Sequence, residues 1–313
     1  MKFRNILFGF VAMISLTFFA ASCTKEDPVK PTPVVPNTIV DVVINTADFS
    51  LLKAAVVKAG LVDALKGANL TVFAPTNAAF ISAGFKDEAA INAADPVALA
   101  SILKYHVLAS KVLAADVKTA DNTELTMLSG GKAYITKDAN GVSINAAKVT
   151  KADVAADNGV IHIIDAVIQV PTKNIVELVV ATPSLSLLKE AVLRASTGKT
   201  KVATILSGAG PFTVFAPTNA AFEAAGFNSA KIASTDPDFL ATVLTYHVVA
   251  ARVYSTNLKS GNVKTAEGRE VAINAANGTV TGGLNSTPSK ITAVNIGATN
   301  GVVHVIDAIL LPK

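Results

Sequence analysis

Thr71-Val-Phe-Ala-Pro-Thr-Asn-Ala-Ala-Phe80 recurs letter for letter as Thr213 to Phe222, 142 positions further along a chain of 313 residues. Two more pairs keep nearly the same spacing. Tyr105-His106-Val107 returns as Tyr246-His247-Val248, and Asn158-Gly-Val-Ile-His-Ile-Ile-Asp-Ala166 returns as Asn300-Gly-Val-Val-His-Val-Ile-Asp-Ala308. The chain is therefore a tandem duplication, and each copy is long enough to enclose a hydrophobic core of its own.

Working outward from the repeated decapeptide, Thr-Val-Phe reads as a short strand stopped by Pro75 or Pro217. Thr76-Asn77 and Thr218-Asn219 follow as helix caps, because their side-chain oxygens accept from amides that lack an intrahelical partner. Upstream, Ile39-Val-Asp-Val-Val with Leu51, Leu52, Ala55, Val56 and Ala59 shows helical apolar spacing, and 175–195 repeats it. Downstream, Asp95-Pro96 and Asp236-Pro237 each offer an N-cap and a first-turn proline to a helix ending at the Tyr-His pair. Alternating segments around Asn140-Gly141 and Asn277-Gly278 predict hairpins.

The last strand of the first copy puts Val160, His162, Ile164, Ala166 and Ile168 on one face and Ile161, Ile163, Asp165 and Val167 on the other. Both faces are largely apolar, which predicts a central position in the sheet. Helices toward the front and antiparallel strands toward the back make each copy α+β. The second copy carries about six extra residues within 196–210, read as a glycine-rich loop, and the short connector 170–173 predicts a fairly fixed pair of domains.

Residues 1–22 read as a secretion signal, with a basic start (Lys2, Arg4) and an apolar run from Ile6 to Ala20 that is short for a membrane span. Small residues directly before Cys23 look like a lipoprotein processing site, with Ala20 where Leu usually stands; an ordinary signal peptide cut near Ser22 is the other reading. In the first case Cys23 is the lipidated N-terminus and anchors the chain to a membrane. Residues 23–37 are then a proline-rich tether, and 38–171 and 172–313 the two domains. Lys25-Glu26-Asp27 resembles the charged signal that carries lipoproteins of Bacteroidetes to the cell surface, and it equally suits a solvated linker. Cell envelope, outer membrane and surface exposure are the localisation expected.

Cys23 is the only cysteine, so no disulfide forms within the chain and none is left for a metal. Formal net charge is +4 and falls to +2 without Lys2 and Arg4. With no basic cluster interleaved with aromatics, nucleic acid is not an expected partner.

The four histidines all belong to repeated motifs. His162 and Asp165, three apart on a strand, face opposite ways and form no dyad, so His162, His304, Asp165 and Asp307 are read as structural, like Pro75, Thr76, Asn77, Pro217, Thr218 and Asn219. No His or Cys cluster points to a metal and no EF-hand pattern to calcium. Ser129-Gly130-Gly131 and Thr281-Gly282-Gly283 lack the lysine and helix of a phosphate cradle and read as turns. Tyr134 and Tyr254 read as packing residues, and the sequons at Asn69, Asn277 and Asn285 carry little weight.

The three ordered motifs, each present twice, resemble the conserved blocks and central Tyr-His pair of fasciclin domains. The resemblance covers nearly everything after Thr38. It implies two tandem β-sandwich wedges with several helices and adhesion to cells, matrix or polysaccharide, with an extracellular protein or glycan as ligand. The lack of a catalytic or metal-binding constellation adds the expectation of no enzymatic activity and no cofactor, a hydrolase being disfavoured because all four histidines belong to repeated motifs. An accessory capture protein for an outer-membrane polymer transporter is the second expectation. In animal members the Tyr-His region contributes to receptor binding, which makes Tyr105, His106, Val107, Tyr246, His247 and Val248 the candidate interaction region. His106 and His247, at a helix-to-strand junction, read first as buried groups that tie backbone together, so structure and binding both stand as readings. Leu108-Ala-Ser-Lys111 and Val249-Ala-Ala-Arg252, just downstream, depart from any animal receptor-binding motif.

Overall fold

The computed structural model describes residues 37–313; the expected signal segment 1–22, Cys23 and the expected tether as far as residue 36 lie outside them. The first domain opens with helices α1 (Ile39–Asn45) and α2 (Ser50–Lys58). Thr38 caps α1 in a capping box with Asp41, each side chain serving the other residue's backbone amide. Strand β1 (Leu70–Pro75) is buried along its whole length and leads into α3 (Asn77–Ser82), α4 (Glu88–Ala93) and α5 (Pro96–Lys104). Asp95 caps α5 through the amides of Val97 and Ala98, with Pro96 in the first turn as expected.

The remaining strands are β2 (Val107–Leu108), β3 (Ala120–Thr126), β4 (Lys132–Asp138), β5 (Gly141–Ile144), β6 (Ala147–Ala156) and β7 (Gly159–Ile164), in the sheet order β2-β1-β7-β6-β5-β4-β3. β7 is central. Its Ile161, Ile163 and Val167 side packs with the helices, while Ile164, Ala166 and Ile168 join a second core with Phe73, Ile135 and Ile144. β1 and β4 are four places apart in the sheet, so a shared core requires the sheet to fold back on itself. The bend lies at β6, where the register against β7 shifts twice and Asp153 takes a left-handed φ of 57°. The result is the sandwich-like wedge of an α+β domain.

One pairing adds to the antiparallel strands expected toward the back of each copy: β1 runs parallel to β7, from Leu70 beside Gly159 to Pro75 beside Ile164. The helical segments and five strands between them supply the long connection a parallel pair needs. Glycine is required at the join, because a Cβ on Gly159 would sit 2.1 Å from the Leu70 carbonyl oxygen.

The second domain repeats the plan with α6 (Ile175–Ala181), α7 (Ser186–Ala195), α8 (Val202–Ser207), β8 (Phe212–Pro217), α9 (Asn219–Ala224), α10 (Ser229–Ser234) and α11 (Pro237–Tyr246). Its sheet comprises β9 (Val248–Val249), β10 (Gly261–Lys264), β11 (Glu270–Asn274), β12 (Thr279–Thr281), β13 (Ser289–Ala298) and β14 (Gly301–Ile306), in the order β10-β11-β12-β13-β14-β8-β9. The extra residues before β8 are not simply a glycine-rich loop. They form α8, since Val202 and Leu206 lie one helical turn apart and both are buried, and the Ser196 hydroxyl accepts from the Ala203 amide.

Candidate functional site

The Tyr-His pairs end the helices α5 and α11, and the fold turns them inward. Tyr105, His106 and Val107 are 0, 2 and 4% exposed, and Tyr246, His247 and Val248 are 1, 2 and 2% exposed. None of the six side chains offers area to a ligand, so the expected contact surface is not formed by them directly; the amphiphilic Tyr-His pattern serves the inside of the fold.

His106 is spanned between two backbone groups. Its Nδ1 lies 2.8 Å from the Ile102 carbonyl and its Nε2 accepts from the Ile168 amide at 3.1 Å. An N–H facing Nε2 leaves the proton on Nδ1, so the ring is neutral with both nitrogens used. His247 does the same between the Val243 carbonyl and the Leu310 amide. Burial lowers both rings to a pKa of about 4, against the opposing effect of the carbonyl bonds. The Tyr105 hydroxyl donates to the Lys132 carbonyl at 2.6 Å and accepts from Asn145 Nδ2 at 2.9 Å. In domain 2 the Tyr246 hydroxyl donates to the Glu270 carbonyl and accepts from the Gly283 amide.

The other motif residues are equally occupied. Thr76 and Thr218 cap α3 and α9, whereas Asn77 and Asn219 reach back to accept from the Leu51 and Leu187 amides at the start of α2 and α7. Pro75 and Pro217 close the buried strands β1 and β8. His162 uses Nε2 toward the Val112 carbonyl and Nδ1 toward the Asp153 amide, and His304 likewise joins Val253 and Asn295. Burial holds His304 below the usual imidazole range. Asp165 and Asp307 accept from the Lys148 and Lys290 amides on the neighbouring strand, away from the histidines. Sequence reasoning passed over Asn158 and Asn300, which tie three segments together. Asn158 accepts from the Ile39 amide and donates to the Leu65 and Gly67 carbonyls. Their signal was the repeated Asn-Gly ahead of the strand.

A cleft of about 550 Å³ opens where the two domains meet, lined by Asp121, Glu124 and Tyr134 of the first and Pro211, Arg252 and Thr299 of the second. At its edge the Arg252 guanidinium lies 4.0 Å above the Tyr134 ring and donates to the Gly301 carbonyl at 2.8 Å. The Asn122 amide donates to the Arg252 carbonyl at 2.6 Å. Arg252 Nε and Asn122 Oδ1 are buried without a partner. Tyr134 and Tyr254 are packing residues as read, but between domains rather than within one. The signal for Arg252 was its place in a segment that differs from Leu108-Ala-Ser-Lys111 of the first copy. Among the described residues no three His, Cys, Asp or Glu side chains group to hold a metal, and no helix is long and apolar enough to cross a membrane.

A fasciclin domain model matches the chain twice, over residues 47–171 and 189–312. The chain belongs to the fasciclin domain family. It is 31% identical over 247 residues to the pig transforming growth factor-beta-induced protein ig-h3, an alignment covering 78% of this chain and 35% of that one. It is 44% identical over 138 residues to protein sll1483 of Synechocystis, covering 43% of this chain and 74% of the relative. Thus the chain spans about a third of the animal relative's length. A solved FAS1 domain pair from the insect cell adhesion molecule fasciclin I aligns at 19% identity with a TM-score of 0.40, covering 83% of this chain and 95% of that one.

Proposed function

We propose that this fasciclin-domain protein is a non-enzymatic binding protein of the cell envelope, lipid-anchored through Cys23, that adheres to cells, matrix or polysaccharide. One observation carries the non-enzymatic part. Every histidine of the two domains has both ring nitrogens engaged by backbone groups inside the fold, which leaves no imidazole to act as a general base at a surface. Family membership supports the adhesive part, and the cleft between the domains is the surface we assign to the ligand, since it holds both apolar and hydrogen-bonding groups.

Two experiments test this reading. Retention of the full chain on insoluble polysaccharides and on matrix-coated surfaces is expected, and turnover of a glycan or ester substrate by purified protein would refute it. For the anchor, radiolabelled palmitate is expected to enter the wild-type chain and not Cys23→Ala; equal labelling of both would remove the lipid from the proposal.

A further inference from the structure

Every side-chain hydrogen bond between the domains comes, on the second domain's side, from Arg252 to Lys259, a segment that includes a 3-10 turn at Ser255–Asn257. On the first domain's side all of them fall on or beside β3, β4 and β5. Asn257 Nδ2 reaches Asp121 at 3.2 Å and Thr136 at 3.0 Å, and Lys259 pairs with Asp121 at 3.2 Å. The Tyr254 hydroxyl donates to Asn145 Oδ1 at 3.1 Å. Asn145 Nδ2 in turn donates to the Tyr105 hydroxyl, which itself donates to the Lys132 carbonyl.

Tyr105 is therefore linked by a single side chain to the other domain. Its neighbour His106 holds the Ile168 amide, two residues before the connector 170–173. The motif thus reaches one of the side-chain links across the joint, through Asn145, and also holds the strand end that leads into the connector. Domain 2 has no equivalent. At matching register Asn145 is replaced by Thr281 and Tyr134 by Ala272, and Tyr246 is satisfied by backbone groups of its own domain. A duplication that keeps Tyr-His in both copies, yet connects only the first across the joint, separates a folding role from an added one.

We propose that in the first domain Tyr105-His106, through Asn145 and Tyr254, sets the orientation of the second domain, so that the pair behaves as one rigid body with a preformed cleft at the joint. The docking face exists once, so the joint closes with two domains and does not propagate to further copies. These contacts add orientation to the restraint on separation that the four-residue connector already imposes.

Pulsed dipolar spectroscopy tests it on the full chain carrying Cys23→Ser, with nitroxides on Lys53→Cys and Lys231→Cys, both exposed positions in different domains. A narrow distance distribution is expected. Asn145→Ala and Tyr254→Phe should each broaden it by about twofold or more, as an unanchored pair would. Tyr246→Phe, which loses the corresponding hydroxyl in domain 2, should leave the width unchanged. Unaltered width in both Asn145→Ala and Tyr254→Phe overturns the proposal, as does equal broadening by Tyr246→Phe. Tyr254→Phe removes one hydroxyl only, so it remains informative should Asn145→Ala unfold the first domain.

Discussion

The buried imidazoles make stability depend on pH in a window where few other groups titrate. In the folded chain His106 and His247 titrate at about 4, against 6.5 for a solvated histidine. The depressed value means that the neutral ring is favoured by folding, so its contribution is fully present above pH 6.5 and is lost as pH falls toward 4. Protonating Nε2 would turn an acceptor into a donor facing the amide of Ile168 or Leu310. At pH 5 the linkage relation gives a loss of about 2 kcal/mol for each histidine, rising to about 3 kcal/mol each by pH 4. His304, shifted the same way by burial, adds to the loss in domain 2. Urea denaturation of the full chain from pH 7 to pH 5 is the assay, because carboxylates begin to take up protons mainly below that range. His106→Gln should lower overall stability but flatten the pH dependence of the first domain. A wild-type stability that stays level between pH 7 and pH 5 would show that the rings are not held neutral as described.

Gly159→Ala should destabilise the first domain by about 3 kcal/mol, because the new methyl meets the Leu70 carbonyl across a parallel strand pair that cannot separate; thermal unfolding reads it. Asn158→Ala strands the Ile39 amide and two carbonyls, and a loss of about 2 kcal/mol is expected, with faster hydrogen exchange at Ile39. Thr76→Ala removes the cap of α3 for about 1 kcal/mol, while Asn77→Ala should instead loosen the start of α2, a contrast that amide exchange at Ala79 and Leu51 separates.

Repetition, patterning and turn chemistry are local properties, and each was legible in the chain. The exact decapeptide repeat marked the duplication, Asp95-Pro96 and Asp236-Pro237 marked helix starts, and the two apolar faces of 160–168 placed β7 in the middle of its sheet. The same faces showed that His162 and Asp165 point apart. What the sequence did not reveal was where distant segments meet. The parallel partner of β1, the helix α8 in place of a loop, and the link from Tyr105 through Asn145 to Tyr254 all depend on contacts between residues far apart in sequence. Asn145 and Arg252 are ordinary polar residues until another strand or domain arrives beside them. Sequence alone thus determined the duplication and the elements within each copy, because periodicity and capping act over a few residues. Only the tertiary structure decided that one Tyr-His pair faces a domain joint and the other does not, because a hydrogen bond has meaning only once both partners are brought within about 3 Å.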